Sequence, residues 1–273
     1  MPSGGTGGRA SAPYFDRAKV FFTGPSGPPA SVVSIDETSL KSPKTWRERT
    51  VVSEPTATAQ VAKTKPTRSV TLVATVCSDG TAFTPLFLVK NTKIPAALRC
   101  EREDDAAFPH CAYRSAPKAW ITTEIFQDYI IRIVVPALRA SELSPTRRAL
   151  LCIDNHGSRR GANGEWLATT LAQVHTDVLF LPPNTSHMTQ PLDLAPFGAF
   201  KRALRTQWPA ERPSWWAFMS MVHDAYELGF RSRLIRAGFL RAGLAPFNPL
   251  AVLDPTIPLD GGSRNRPRST RPT

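Results

Sequence analysis

Short apolar runs, separated by residues that favour turns, mark the first half of the chain. Residues 31–35 form an apolar run that ends on Asp36, which predicts a buried strand with an acid at its end. The runs at 70–76 and 85–89 flank a Ser-Asp-Gly turn signal at 78–80 and predict an antiparallel hairpin. We expect the strand and the hairpin to share one sheet.

The apolar spacing changes in the middle of the chain. From Thr122 to Leu138 apolar residues recur at steps of three and one, which is typical of one face of an amphipathic helix that Thr122 can cap. Residues 149–153 and 178–181 then read as buried strands on either side of a helix at 165–174. This order predicts a βαβ unit with parallel strands.

The last third of the chain is predicted to be helical, and the two ends to be irregular. Helices are expected at roughly 195–207, 215–229 and 231–241. Residues 1–30 are rich in Gly and Pro, and residues 251–273 form a basic segment, so both are expected to be disordered tails. The segment 41–69 is predicted to be a basic loop. We therefore expect one α/β domain over residues 31–250.

Charge narrows the possible functions. The chain has 273 residues with 34 Lys and Arg against 22 Asp and Glu, a net charge of +12. This balance favours a polyanionic partner, with nucleic acid the first candidate. The hydrophobic fraction of 41% is too high for a wholly disordered chain, and four cysteines are too few for a secreted disulfide scaffold. Since no apolar run approaches the roughly 20 residues that cross a bilayer, membrane insertion is not expected.

Three acids are the candidate chemical groups. Asp36 and Asp154 end two apolar runs, and Asp193 lies where the sequence TQPLD enters a helix. Acids at the ends of parallel strands can converge, and clustered carboxylates select Mg²⁺ or Mn²⁺. Two such ions about 3.5–4 Å apart support displacement at phosphorus. The alternative is that Asp36 and Asp154 are polar strand ends and Asp193 is a helix cap, and composition and spacing leave both interpretations open.

Neighbouring polar residues have weaker signals. Glu37 follows Asp36 directly, so it should point to the opposite face of the strand and have a structural role. Gln190 is expected either to orient a phosphate or Asp193, or to be a turn residue. His156 and His187 are expected to make hydrogen bonds in loops near the acids.

Six sequence blocks, taken in order, resemble the DDE endonuclease domain of pogo-like transposases. These transposases belong to a mariner-type branch that also includes jerky-like proteins and centromere protein B. The blocks are SVVSIDETS, VTLVATVCSDGTAFTPLFLVK, WITTEIFQDYIIRIVVPAL, ALLCIDNHGS, LFLPPNTSHMTQPLDLAPFGAFKRALR and GFLRAGLAPFNP. The resemblance covers about residues 31–250, and its most specific blocks are LPPNTSHMTQPLD and GFLRAGLAPFNP.

The resemblance implies an RNase H-like fold, with a mixed central sheet flanked by helices and a helical C-terminal part. It places the catalytic, metal-binding triad on Asp36 in IDET, Asp154 in CIDN and Asp193 in QPLD. It also implies two Mg²⁺ or Mn²⁺ ions, DNA cleavage followed by strand transfer, a transposon origin, a nuclear location and a possible homodimer. Two features depart from the family: Arg159 and Arg160 stand where many relatives carry a His, and we expect the N-terminal DNA-recognition domain to be absent.

Basic and aromatic residues supply candidates for DNA contact. Lys201, Arg202 and Arg205 follow Asp193 on a predicted helix, where they either hold phosphates or form a solvated face. Trp46 is flanked by basic residues and is a candidate for stacking on unpaired bases. The alternative function is a catalytically inactive, domesticated protein that binds nucleic acid. Both functions predict salt-sensitive DNA binding, but only the enzyme requires the acids and a divalent metal.

Overall fold

The computed structural model describes seven stretches of the chain. They are residues 6–41, 69–91, 93–95, 110–140, 148–160, 165–209 and 213–253. Residues 42–68, which include Trp46 and nearly all of the predicted basic loop, and residues 254–273 lie outside the described residues. The expectations of a base-stacking Trp46 and of a basic tail therefore stay predictions.

A mixed β-sheet forms the centre of the described structure. Its strands are β1 (Ser31–Lys41), β2 (Ser69–Cys77), β3 (Leu86–Lys90), β4 (Ala112–Ala116), β5 (Ala149–Ile153) and β6 (Thr176–Phe180). Their spatial order is β4-β3-β2-β1-β5-β6. β1, β2 and β3 pair antiparallel, whereas β5 pairs parallel with both β1 and β6, and β4 pairs parallel with β3. The hairpin and the parallel βαβ unit are both confirmed.

Helices flank the sheet and make up the C-terminal part of the described chain. They are α1 (Thr6–Thr23), α2 (Thr123–Tyr129), α3 (Val135–Ala140), α4 (Gly157–Arg160), α5 (Trp166–Ala172), α6 (Ser186–Thr189), α7 (Pro191–Leu194), α8 (Pro196–Thr206), α9 (Trp215–Gly229), α10 (Ser232–Arg241) and α11 (Leu250–Leu253). A π-helical turn at Ile130–Val134 joins α2 to α3. The cap predicted for α2 is present, since the Thr122 hydroxyl accepts a hydrogen bond from the Ile125 N–H at 3.3 Å.

The sheet buries a different core on each face, because side chains alternate along a strand. On one face Val32 and Cys152 pack with apolar residues of α1, α8, α9 and α10. On the other face Ile35 and Ile153 pack with α2, the π-helical turn, α3 and α5. Each face is therefore covered by its own helical layer, and the two layers bring different residues towards the centre of the sheet.

The N-terminal segment differs from the disordered tail expected at residues 1–30. It forms α1, in which Tyr14, Phe15 and Ala18 are buried in the core. The Phe22 ring stacks on Phe247 with centroids 4.2 Å apart. The Gly and Pro content of residues 1–30 predicts disorder, although the apolar residues of α1 lie at helical spacing. The helix is stabilised by packing on the rest of the protein, which composition does not show.

Two strand expectations are also corrected. β1 does not end at Asp36 but continues to Lys41, because β2 pairs with its whole second half: Asp36 lies opposite Ala74, and Lys41 opposite Ser69. Residues 112–116, for which the sequence analysis predicts no strand, form β4 at the edge of the sheet. The sequence of β4, AYRSA, has no apolar run that would predict a strand. An edge strand is only partly buried and therefore does not need such a run.

Candidate active site

Parallel pairing of β1 and β5 places two of the predicted acids side by side. The last pair in the register joins Ile35 of β1 to Ile153 of β5, and these two residues are followed directly by Asp36 and Asp154. Neighbouring strands lie about 4.8 Å apart. Both aspartates are half-buried. Asp36 is fixed within a strand and accepts a hydrogen bond from the Glu37 N–H at 2.8 Å.

Gln190 connects the third acid to β1. Its side chain is fully buried, and it accepts a hydrogen bond from the Ser34 hydroxyl at 2.7 Å and donates one to the Ile35 carbonyl at 3.1 Å. The backbone carbonyl of Gln190 accepts a hydrogen bond from the Asp193 N–H at 3.1 Å. Gln190 therefore anchors the start of α7 to the strand that carries Asp36, which is more than the role of a turn residue.

Helix α10 holds α7 from the opposite side. Gly238 lies so close to α7 that a Cβ atom there would be 2.3 Å from the Pro191 carbonyl oxygen. Arg241 donates a hydrogen bond to the Leu194 carbonyl at 2.8 Å. Only a glycine allows this approach, so the position of Asp193 depends on contacts with both β1 and α10.

The neighbouring acids raise the proton affinity of Asp36. The pKa of Asp36 lies well above its ordinary value because the carboxyl is buried and because Asp193, Glu37 and Asp154 repel its negative charge. Burial also raises the pKa of Asp193, while the positive charges of Lys201 and His187 act to lower it. Such a cluster favours either a shared proton or a bound cation.

Arg159 lies beside Asp154 and was not identified as a site residue from the sequence. Its side chain is fully buried, its Nε donates to Asp154 Oδ1 at 3.0 Å, and its Nη2 forms an ion pair with Glu37. The guanidinium carbon lies 4.6 Å from the centroid of the Phe126 ring. The sequence showed only that arginines replace a family His here, and their spacing gave no sign of burial.

The donor atoms of the three acids suit a hard divalent cation. Carboxylate oxygens are the ligands that Mg²⁺ and Mn²⁺ prefer, and the repulsion acting on Asp36 would be relieved by a cation. Within the described residues, however, no three His, Cys, Asp or Glu side chains are grouped so that they could hold a metal ion. Asp154 has one carboxylate oxygen bonded to Arg159. The chemistry of the donor set fits the metal, whereas the orientation of Asp154 is set by the arginine.

The predicted basic residues lie on α8, which begins three residues after Asp193. Lys201 is half-buried and its Nζ lies 5.9 Å from the centroid of the Phe197 ring, whereas Arg202 and Arg205 are exposed. His156 and His187 are exposed as well. The two arginines are thus accessible to a DNA backbone, and Lys201 is close enough to Asp193 to affect its proton affinity.

A second polar cluster joins β4 to α9. The imidazole of His223 forms a hydrogen bond with the Tyr113 hydroxyl through Nε2 at 2.7 Å, and Nδ1 lies 3.5 Å from the Cys111 Sγ. Burial lowers the pKa of His223 to about 4. The cluster contains none of the three acids, and it links the edge of the sheet to the helical layer.

A family model, that of the DDE superfamily endonuclease, matches residues 67–212. The matched segment includes Asp154 and Asp193, and Asp36 precedes it. No helix among the described residues combines the length and the apolar character needed to span a membrane.

Two curated proteins are similar to parts of the chain. A Homo sapiens protein, Tigger transposable element-derived protein 7, is 26% identical over 142 residues, which is 49% of this chain and 24% of that protein. A Cochliobolus lunatus protein, MFS-type transporter clz9, is 31% identical over 112 residues, which is 39% of this chain and 12% of that protein. The chain thus spans about a quarter or less of the length of these relatives.

Solved structures with a similar fold come from Mos1. A pre-cleavage Mos1 transpososome matches with a TM-score of 0.53 and 14% identity, over 88% of this chain and 61% of that chain. The Mos1 mariner paired end complex with Mn matches with a TM-score of 0.51 and 14% identity, over 90% of this chain and 61% of that chain. At this identity the likeness concerns the fold, and it confirms the RNase H-like arrangement of a mixed sheet between helices.

Proposed function

This chain belongs to the DDE superfamily endonuclease family, and on that basis we propose that it is a transposon-derived, metal-dependent DNA endonuclease of the transposase type. Asp36, Asp154 and Asp193 are the proposed catalytic residues. The observation that carries the proposal is the parallel register of β1 and β5, which makes Asp36 and Asp154 neighbours, together with the charge of Asp193 acting on Asp36.

The three carboxylates are proposed to hold two divalent cations, Mg²⁺ or Mn²⁺. When bound, such ions activate the attacking hydroxyl and stabilise the leaving oxygen in a displacement at phosphorus. The protein then contributes position and charge. Asp36 is held by β1, and Asp193 is held by the Gln190 anchor and by α10. In the proposed reaction water attacks the phosphodiester and its 3′-oxygen leaves as a 3′-hydroxyl. This hydroxyl then attacks a phosphodiester of a second DNA strand, from which another 3′-oxygen leaves.

DNA is the proposed partner. The net charge of +12 attracts a polyanion, and the exposed Arg202 and Arg205 lie on the helix that follows Asp193. Phosphate contacts of this kind lose affinity steeply as salt rises. We also propose a nuclear location, where the DNA substrate lies, and a homodimer, whose mass can be measured by light scattering with and without DNA.

The test is nicking of labelled duplex DNA by the purified chain in the presence of Mg²⁺ or Mn²⁺. We expect nicking that requires the metal and that is lost in Asp154→Asn, Asp36→Asn and Asp193→Asn. Asp224→Asn makes the same charge change at an exposed position of α9 and should nick normally. If neither the wild type nor any variant nicks DNA, and the variants bind DNA as tightly as the wild type, the enzyme proposal fails. The alternative of a catalytically inactive protein that binds nucleic acid is then favoured.

A further inference from the structure

The sheet geometry assigns Asp36 and Asp154 to the same face. Side chains at the same register of adjacent strands point in the same direction. On β1, Ser34 bonds to Gln190 beside α7, so Asp36, two residues later, faces the same helical layer. On β5, Cys152 belongs to that layer too, and continuing the alternation places Asp154 with Asp36.

Glu37 belongs to the opposite face. Val33 and Ile35, which precede it at steps of two, pack in the core that includes Phe126 of α2. Arg159 lies in that layer, because its guanidinium stacks on Phe126 and pairs with Glu37. Asp154 is therefore the residue whose carboxylate reaches across to a partner on the other face.

We propose that Arg159 is a positioning residue that holds the Asp154 carboxylate towards Glu37, so that a divalent cation at the three acids must compete with the guanidinium for Asp154. Arg159 thereby lowers the affinity of the site for divalent cations. This inference rests on the proposed metal-binding role of Asp36, Asp154 and Asp193. It explains why these acids do not form a ready-made metal-binding cluster in the described part of the chain.

The contacts of Arg159 make it an effective competitor. Its side chain is fully buried, while those of Asp154 and Glu37 are 30% and 25% exposed. A buried guanidinium between two carboxylates is strongly held, and its positive charge also repels a dication nearby. Asp154 Oδ1 is bonded to Arg159 Nε at 3.0 Å, so a cation that binds this oxygen must displace the guanidinium from it.

The test is binding of Mn²⁺ to the full chain without DNA, measured by electron paramagnetic resonance of the free ion. Arg159→Gln removes the charge and should bind Mn²⁺ at least about tenfold more tightly than the wild type. Arg159→Lys keeps the charge and should bind nearly as the wild type does. Arg132→Gln is the matched control, because Arg132 is an exposed arginine that pairs with Asp128, and it should leave binding unchanged.

The outcomes separate the two proposals. If neither the wild type nor Arg159→Gln binds Mn²⁺, or if Asp154→Asn binds as well as the wild type, the metal-binding role of the acids fails. If Asp154→Asn loses binding but Arg159→Gln, folded by circular dichroism, binds no more tightly than the wild type, the role of Arg159 is overturned and the metal site stands.

A second measurement on the wild type does not depend on the folding of a variant. The Arg159 Nε–H is buried and bonded to Asp154, so its nuclear magnetic resonance signal is protected from solvent exchange. Saturation with Mg²⁺ should shift this signal as Asp154 is shared or released. A signal that stays unchanged at saturating Mg²⁺ would show that the cation does not compete with Arg159.

Discussion

Replacing Gln190 with Leu tests how the third acid is held. The wild-type amide joins the Ser34 hydroxyl and the Ile35 carbonyl, at 2.7 and 3.1 Å, to the start of α7. All of these groups are buried, so a leucine leaves two polar groups of β1 without these partners. At about 1–2 kcal/mol for each, the free energy of unfolding should fall by about 2–4 kcal/mol.

The assay is urea denaturation followed by tryptophan fluorescence and circular dichroism. Gln173→Leu makes the same chemical change at an exposed position that follows α5, and it should alter stability by less than about 0.5 kcal/mol. A double-mutant cycle with Ser34→Ala should show a coupling of about 1 kcal/mol between Ser34 and Gln190. A loss below about 1 kcal/mol in Gln190→Leu, with no coupling, would refute the anchoring role of Gln190.

Two further predictions concern α10 and the edge of the sheet. Gly238→Ala should lower the free energy of unfolding by about 1–3 kcal/mol and slow DNA nicking, because the new Cβ would lie 2.3 Å from the Pro191 carbonyl oxygen. Gly198→Ala is the control, since Gly198 has open space around it, and it should change neither stability nor nicking. Equal effects of the two substitutions would contradict the close packing of α10 on α7. The pKa of His223 is lowered to about 4 in the folded protein, so the unfolded chain takes up a proton on this imidazole at a higher pH than the folded chain does. The free energy of unfolding should therefore fall as the pH drops from 6.5 to 4, by about 2 kcal/mol after allowance for partial exposure. The midpoint of urea unfolding should fall less over this pH range in His223→Asn than in the wild type. An equal fall in both proteins would contradict the assignment of this pH dependence to His223.

Much of the fold follows from local patterns in the sequence. The boundaries of β5 match the apolar run at 149–153, and those of α9 match the helical pattern at 215–229, because buried strands and long amphipathic helices have strong periodicities. β4 and α1 were missed for a physical reason. An edge strand needs few apolar residues, and α1 is stabilised by packing on distant parts of the chain.

The sequence suggests the three acids of the candidate site, and this stays a prediction, whereas it gives no sign of their environment. The positions of Asp36, Asp154 and Asp193 were predicted from strand ends and from the family resemblance, and the structure places Asp36 and Asp154 in neighbouring positions. Arg159 and Gln190 act through contacts between residues far apart in sequence: Arg159 reaches Glu37, and Gln190 reaches Ser34. Spacing along the chain cannot show such pairs, so their roles emerged only with the tertiary structure.

The most direct test of the central claim is a change of metal preference. Asp36→Cys, Asp154→Cys and Asp193→Cys each replace an oxygen ligand with sulfur, which Mg²⁺ accepts poorly and the softer Mn²⁺ accepts better. If these acids hold the catalytic cations, the three variants should lose DNA nicking in Mg²⁺ and recover part of it in Mn²⁺, while Asp224→Cys nicks like the wild type in both metals. Full nicking in Mg²⁺ by the three variants would contradict the claim that these residues bind the metal.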